Sequence, residues 1–513
     1  MKAEWRRTTY TTLDLVMRPA SILLITLLVC VSAHAQRTTT PEDLARRIDA
    51  VLDAAAFEEA FWGVLAVDLE TGRTVYARNA DKRFLPASNL KLITTAAALD
   101  GLGPDFRYTT GLYLDGEVRG TTLVGNLIIR GSGDPTLGST RFGSDDPLRV
   151  FRRWADALKG RGISYITGNV IGDDNVFDDV PYGLGWAWDD LVYDYGAETS
   201  GLTFREGTIN MTVRGTSPGS RAAVSWQPIE TDYIRVDNQS RTLASGNSTH
   251  EGYARELSGN RFTITTEVAA GRRDTEALAI HNPTQYAAHM LRLVLLREGI
   301  GVEGRAIDAD DLPSPPSYLQ LDRVASATSP LLVEIVEVTN RKSVNLFAEH
   351  LLRTLGVHRY HGSEAEPGSV EAGVLAIRSM LTEAGIDKDE LQMVDGSGLS
   401  FMNRVTPRAL VALLGYMHTH SDSSVRAAFY DSLPLGGRSG TLSGRYPSGD
   451  ARGNVRAKTG YINGVRTLSG YVTAASGNPI AFSILCNHYA TRTSRVSEAQ
   501  DDVVELLADF AGR

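Results

Sequence analysis

Ser88 and Lys91, in the stretch "LPASNLKLITTAAAL" (residues 85–99), stand three residues apart, just after a proline and at the head of an apolar run. Residues i and i+3 share a helix face, so the Lys91 amine can reach the Ser88 hydroxyl. A serine hydroxyl needs a base before it becomes nucleophilic. Lysine serves when burial or nearby positive charge brings its pKa down from about 10.4 toward neutrality. Leu90, Leu92 and Ile93 supply such a dry setting. Backbone N–H groups at a helix N-terminus also suit a developing oxyanion. The chemistry is acyl transfer. The plainer alternative makes Ser88 a helix N-cap, a role worth about 1 kcal/mol, and Ser-x-x-Lys occurs by chance about once or twice in a chain this long.

Acyl transfer requires partners: a second hydroxyl to carry a proton to the leaving group and a cationic strand to hold an anionic substrate end. "NRKSVNLFAEHLLR" offers Ser343-Val344-Asn345 at the start of another helical stretch. "RAKTGYI" offers Lys458-Thr459-Gly460 on a strand, where the glycine would let a substrate backbone approach closely. Neither is strong alone. Together and in this order they correspond to the S-x-x-K, S-D-N and K-T-G set of penicilloyl-serine enzymes, and the cap reading of Ser88 recedes.

With "GSGDPTL", "DGSGLSFMNRVTP", "SLPLGGRSGTL" and "KTGYINGVRTLSGYV", the chain resembles the D-alanyl-D-alanine carboxypeptidase/endopeptidase family of low-molecular-mass penicillin-binding proteins, over about residues 41–510. The separation of 252 positions from Lys91 to Ser343 matches relatives carrying a large insertion after the Ser-x-x-Lys helix. The resemblance implies an α+β fold: a serine β-lactamase/transpeptidase-like domain, with an antiparallel sheet flanked by helices, split by a mainly β insertion of two smaller domains. The expected division is a catalytic domain of 36–108 and 326–513, an inserted domain II of 109–183 and 299–325, and an inserted domain III of 184–298.

The resemblance also implies roles. Ser88 would be acylated, Lys91 would be its base, and Ser343 would relay a proton to the leaving D-Ala with help from Lys458. Asn345 would hold the substrate's backbone amide. The strand Lys458–Tyr461, with Thr459 and Gly460, would pair with the substrate, and the N–H groups of Ser88 and Tyr461 would form the oxyanion hole. Substrates would be peptidoglycan stem peptides, β-lactams would be inhibitors, and no cofactor or metal is implied. Two positions depart from the family pattern: Val344 replaces an Asp, and Tyr461 stands where relatives usually carry Thr or Ser, which bears on the choice between terminal and cross-link cleavage.

Other residues read as structural. Asp395 and Arg404 suggest a turn and an ion pair, and His350 a packing histidine. The 10 His and few Cys show no metal-ligand spacing. Asn210, Asn238 and Asn247 head glycosylation sequons of little meaning in a bacterial envelope protein. Rival readings are a serine β-lactamase with a large insertion, an esterase or amidase on the same fold, and a catalytically idle wall-binding protein. An idle protein has no reason to keep a buried lysine beside a serine.

The elements that must position these residues follow from patterning. At 513 residues two or three domains are expected, and a formal charge of −9 without a basic run argues against nucleic acid. Residues 1–35 read as a signal peptide, with Arg18, an apolar core from Ile22 to Val31 and a cleavage site at Ala33-His34-Ala35; initiation at Met17 gives the more conventional version. Cys30 lacks the small preceding residues of a lipidation site. The mature chain would then carry −11 and one cysteine, Cys486, in an apolar run that reads as a buried thiol. Export to the periplasm or envelope, with at most loose membrane association, is expected.

A helix is predicted over Glu42–Ala55, capped by Thr40, and strands over Phe61–Leu69 and Arg73–Arg78. A buried helix follows over Ser88–Leu99, then a mostly β region to about Glu276, interrupted by a helix near 147–158. A helix over Thr284–Arg297 precedes three antiparallel strands near the end, turning at Asn463-Gly464 and Ser476-Gly477-Asn478, and a last helix over Val496–Phe510.

Overall fold

Strands from both ends of the chain meet in one five-stranded antiparallel sheet. In spatial order these are Thr74–Arg78, Phe61–Asp68, Pro479–Asn487, Val465–Thr473 and Arg456–Ile462. This is a computed structural model, and it describes residues 40–512. The predicted signal peptide, the Met17 start and the mature start at Gln36 lie outside the described residues.

Helices cover both faces of the sheet. On one, the helix Pro41–Leu52, whose N-cap Thr40 accepts from Asp43 N, packs with the C-terminal helix Thr493–Ala508 around Leu44, Trp62, Leu468, Ile484 and Val503. On the other, the helix Lys91–Leu102 and the helices Leu332–Lys342, Asn345–Arg359 and Pro407–His418 bury Leu92, Ile335, Leu351, Leu410 and Leu485. Burial on both sides explains why Trp62–Ala66 and Ile480–Asn487 are continuously buried, where strands with one wet face would alternate.

The chain between the two halves of this sheet builds other sheets. A seven-stranded one includes Thr109–Arg119, Thr122–Arg130 and Asp322–Thr328; a three-stranded one joins Thr208–Arg214, Ala223–Gln227 and Arg273–Ala279. The helices Arg149–Gly160 and Pro283–Arg297 pack with them around Leu127, Trp154, Phe204, Met211, Phe262 and Leu291. The fold is α+β, with the mainly β middle that the turn-rich sequence implied. Among the described residues, no helix is long and apolar enough to cross a membrane.

The sheet's shared core makes a direct prediction. Leu468 is fully buried between the sheet and the two terminal helices. Leu468→Ala should cost about 2–5 kcal/mol, read as a lowered urea midpoint with an unchanged denaturant slope.

Candidate active site

Pro86 leads into a tight 3₁₀ turn, Ala87–Leu90, which runs straight into the helix Lys91–Leu102. Ala87 sits at φ +45°, a left-handed conformation unusual for a residue with a Cβ. The turn sets Ser88 before the helix, partly exposed, and no side chain caps the helix start. Ser88 therefore does not serve as the N-cap; its Oγ accepts from Lys91 Nζ at 2.9 Å.

Lys91 is fully buried. Its amine also donates to Asn345 Oδ1 at 2.6 Å and to the Ser397 carbonyl at 2.7 Å. Burial lowers its pKa to about 7, against an upward pull from the Asp395 and Glu349 carboxylates. A neutral amine next to a serine hydroxyl can take its proton.

The second pair lies opposite. Ser343 ends the helix Leu332–Lys342 in a left-handed conformation (φ +59°), and Asn345 opens the next helix two residues on. The break aims Ser343 Oγ at Lys458 Nζ, 2.9 Å away. Lys458 is fully buried and also donates to the Thr459 carbonyl at 2.8 Å. Burial holds its pKa well below the ordinary lysine range, and the positive charges of Lys91 and Arg466 push the same way.

The Lys458 strand is the edge of the five-stranded sheet. The segment at Pro434 and Leu435 covers only its start, through Ala457 N to the Pro434 carbonyl at 3.0 Å. Thr459 Oγ1 donates to Thr441 Oγ1 at 2.8 Å, and Tyr461 is 55 % exposed. Beyond Thr459 this outer edge pairs with no further strand among the described residues.

A profile of the D-Ala-D-Ala carboxypeptidase 3 (S13) family matches residues 44–510. The chain is 32 % identical to a D-alanyl-D-alanine carboxypeptidase of Actinomadura sp. (strain R39), covering 92 % of this chain and 85 % of that one. It is 28 % identical to the D-alanyl-D-alanine carboxypeptidase DacB of Haemophilus influenzae, covering 84 % and 86 %. The crystal structure of penicillin-binding protein 4 from Haemophilus influenzae superposes with a TM-score of 0.74 at 26 % identity, covering 90 % and 98 %. A structure of that protein complexed with a β-lactam gives 0.70 at 25 % identity. The chain belongs to the D-Ala-D-Ala carboxypeptidase (S13) family. Members of this family are serine peptidases.

All eight site residues predicted for this family member lie around Ser88 or on the Lys458 strand, and two of them carry further structural duties. Gly460 is required from inside: a Cβ would lie 2.1 Å from Thr467 Oγ1 and 2.9 Å from Ser88 N, so the glycine lets the strand approach the serine turn itself, not only a ligand. Asn345 already uses its oxygen on Lys91 and donates from Nδ2 to the Tyr195 carbonyl at 2.8 Å, which leaves one amide hydrogen for a ligand.

Several supporting residues escaped the sequence reading. Glu349, buried on the Asn345 helix, accepts from Gly396 N and Ser397 N at 2.9 and 2.8 Å, and so holds out the carbonyl that receives Lys91. Its own pKa is raised by burial and by the neighbouring Asp395 charge. The Asn89 amide, in the orientation that satisfies both its ends, donates to the Lys458 carbonyl at 2.9 Å and accepts from Ser469 N at 3.1 Å. It thereby ties the serine turn to the sheet. The adjacency of Asn89 to Ser88 was the one available hint.

Asp395 forms the predicted turn, accepting from Gly398 N, Ser400 N, Asn403 Nδ2 and Trp186 Nε1. The predicted ion pair is not its complement: Arg404 donates instead to the Phe401 and Asn403 carbonyls. His350 is a packing histidine, buried against Phe177 and hydrogen-bonded to the Gly133 carbonyl, with its pKa lowered to about 4 by burial. Cys486 is buried in the sheet, and burial raises its thiol pKa. The carboxylates of Asp174, Asp308 and Asp310 converge within 4.8 Å, but Ser200, Thr284 and Asn282 already donate to the first two.

Gly460→Ala should lower the thermal midpoint by forcing the edge strand off the serine turn. Thr467→Ala, which removes the hydroxyl the new methyl meets, should recover part of the loss in the double variant. Strictly additive losses would contradict the close approach.

Proposed function

We propose that this protein is a serine D,D-peptidase that cleaves peptidoglycan stem peptides ending in D-Ala-D-Ala through an acyl-Ser88 intermediate, and that β-lactams acylate the same serine. The observation that carries the reading is the fully buried Lys91 amine 2.9 Å from Ser88 Oγ, with a pKa near 7. The family membership supports the substrate class. The peptide lies along the open edge beyond Thr459 as an added strand. Neutral Lys91 takes the Ser88 proton as Oγ attacks the carbonyl carbon of the penultimate D-Ala. The N–H groups of Ser88 and Tyr461 receive the oxyanion.

As the tetrahedral intermediate collapses, the peptide C–N bond breaks and Ser343 hands a proton to the departing amine. Ser343 is oriented by Lys458 and resupplied from the protonated Lys91. Water then hydrolyses the ester. On this reading residues 36–108 and 326–513 form the catalytic unit, and residues 109–183 with 299–325 and 184–298 form two inserted domains. The chain acts in the envelope after cleavage near Ala35. Tyr461, exposed directly after Lys-Thr-Gly, biases the enzyme between terminal D-Ala and cross-links.

Intact mass after brief exposure to benzylpenicillin tests the reading. The wild type should gain one penicilloyl group and Ser88→Ala none; rapid drug loss without an adduct would favour a β-lactamase, and neither adduct nor turnover would sink both. Lys91→Met should slow acylation by about 10²–10⁴-fold. The sign of the pH effect follows from the base role: only neutral Lys91 accepts the proton, so the acylation rate should rise through about pH 7 and level off above it. A rate already flat from pH 5 to 9 would remove Lys91 as the base.

A further inference from the structure

The segment "GSGDPTL", residues 131–137, takes no part in the acylation chemistry. With the helix Arg149–Gly160 and the strand Asp322–Thr328 it lines an open-sided cavity of about 450 Å³. Asp134 is the buried acid of the lining, 4 % exposed. Its Oδ1 accepts from both Thr136 N, at 2.8 Å, and Thr136 Oγ1, at 2.6 Å. Its Oδ2 has no hydrogen-bond partner among the described residues. Arg149 and Arg153, one helical turn apart, are the exposed cations of the lining, and neither has an ion-pair partner among the described residues. Asp146, the other acid of the lining, is already paired with Arg152.

The unused groups specify a ligand. An unpaired carboxylate oxygen on the cavity wall accepts a hydroxyl or amide donor. Two free guanidinium groups at i and i+4 call for a carboxylate or phosphate. Thr328 adds a hydroxyl to the wall, whereas the Thr136 and Ser139 hydroxyls already donate to Asp134 and Glu206. One ligand that answers all of these carries hydroxyls and an anionic group together.

The cavity also adjoins the reactive site. Ser139 donates to Glu206 Oε1 at 2.7 Å, and Glu206 pairs with Arg141 at 2.9 Å. Arg141 and Glu206 line a smaller cavity, of about 170 Å³, that contains Ser343 and Asn345. The two cavities share this hydrogen-bonded wall.

We propose that the larger cavity binds a hydroxylated, anionic segment of the cell-wall glycopeptide, with sugar hydroxyl or amide donors on Asp134 and a carboxylate on Arg149 and Arg153. This rests on the functional reading above for the polymer. It would make the insertion a substrate-holding part of the enzyme.

The test titrates N-acetylmuramyl-L-alanyl-D-glutamate, which carries sugar hydroxyls, amides and free peptide carboxylates, into the protein before and after penicilloylation of Ser88, with binding read by ligand-observed NMR. Saturable binding should persist in the penicilloylated protein and weaken at least about tenfold in Arg149→Ala/Arg153→Ala. Both arginines are exposed, so the variant should keep the wild-type thermal midpoint and penicillin acylation rate. N-acetylglucosamine, without the carboxylate, should bind more weakly. Four results would overturn the proposal: no binding to the wild type, equal binding by the double variant, loss of binding on penicilloylation, or equal competition by inorganic phosphate. Failure to form the penicilloyl adduct would count against the functional reading alone, because the double variant still decides on the cavity.

Discussion

The desolvated amine of Lys91 is the constraint on which the site depends. A lysine with no exposed surface is costly to keep charged. Here it is met by three oxygens, on Ser88, Asn345 and Ser397. Two carboxylates nearby, Asp395 and Glu349, favour the ammonium form, yet burial outweighs them. The reason is visible in their partners. Both carboxylates take backbone N–H groups of the 396–400 loop, and neither forms an ion pair with the lysine. Their oxygens hold the loop, and burial leaves the amine close to neutrality.

Lys458 repeats the theme with a different balance. It shares the buried region with Lys91 and lies within the field of Arg466, so like charges add to desolvation. Two buried amines facing two hydroxyls make a site in which protons can move between nitrogen and oxygen without a large energetic step. The left-handed backbone at Ser343 and the missing Cβ at Gly460 are the local distortions that bring the four groups into register. Residues outside the five-stranded sheet complete it: the Tyr195 carbonyl fixes the Asn345 amide, and Trp186 donates to Asp395. The middle of the chain thus reaches back to orient groups that its ends supply.

Much of this was legible from residue types. The helix after Thr40-Pro41, the strand from Phe61 and the three closing strands emerged within a few residues of their observed bounds, because caps, turn residues and apolar runs are local signals. The chemistry of Ser88, Lys91, Ser343 and Lys458 was legible because three weak motifs occurred in order. What stayed hidden was the support. Glu349 looks like any helical glutamate, and Ser397 acts through a carbonyl that every residue has. The approach of Gly460 to Ser88 spans 372 positions of sequence and leaves no periodic trace.

By itself, then, the sequence determined which groups could react, the order in which the chain delivers them, and that strands from both ends would need each other. These follow from side-chain chemistry and short-range patterning. Only the tertiary structure decided that Ser88 would cap nothing and face an amine instead, that the amine would be nearly neutral, and that Asp395 and Arg404 would serve backbone groups separately. Those outcomes depend on burial and on distances between residues far apart in the chain, and desolvation is a property of the assembled surroundings.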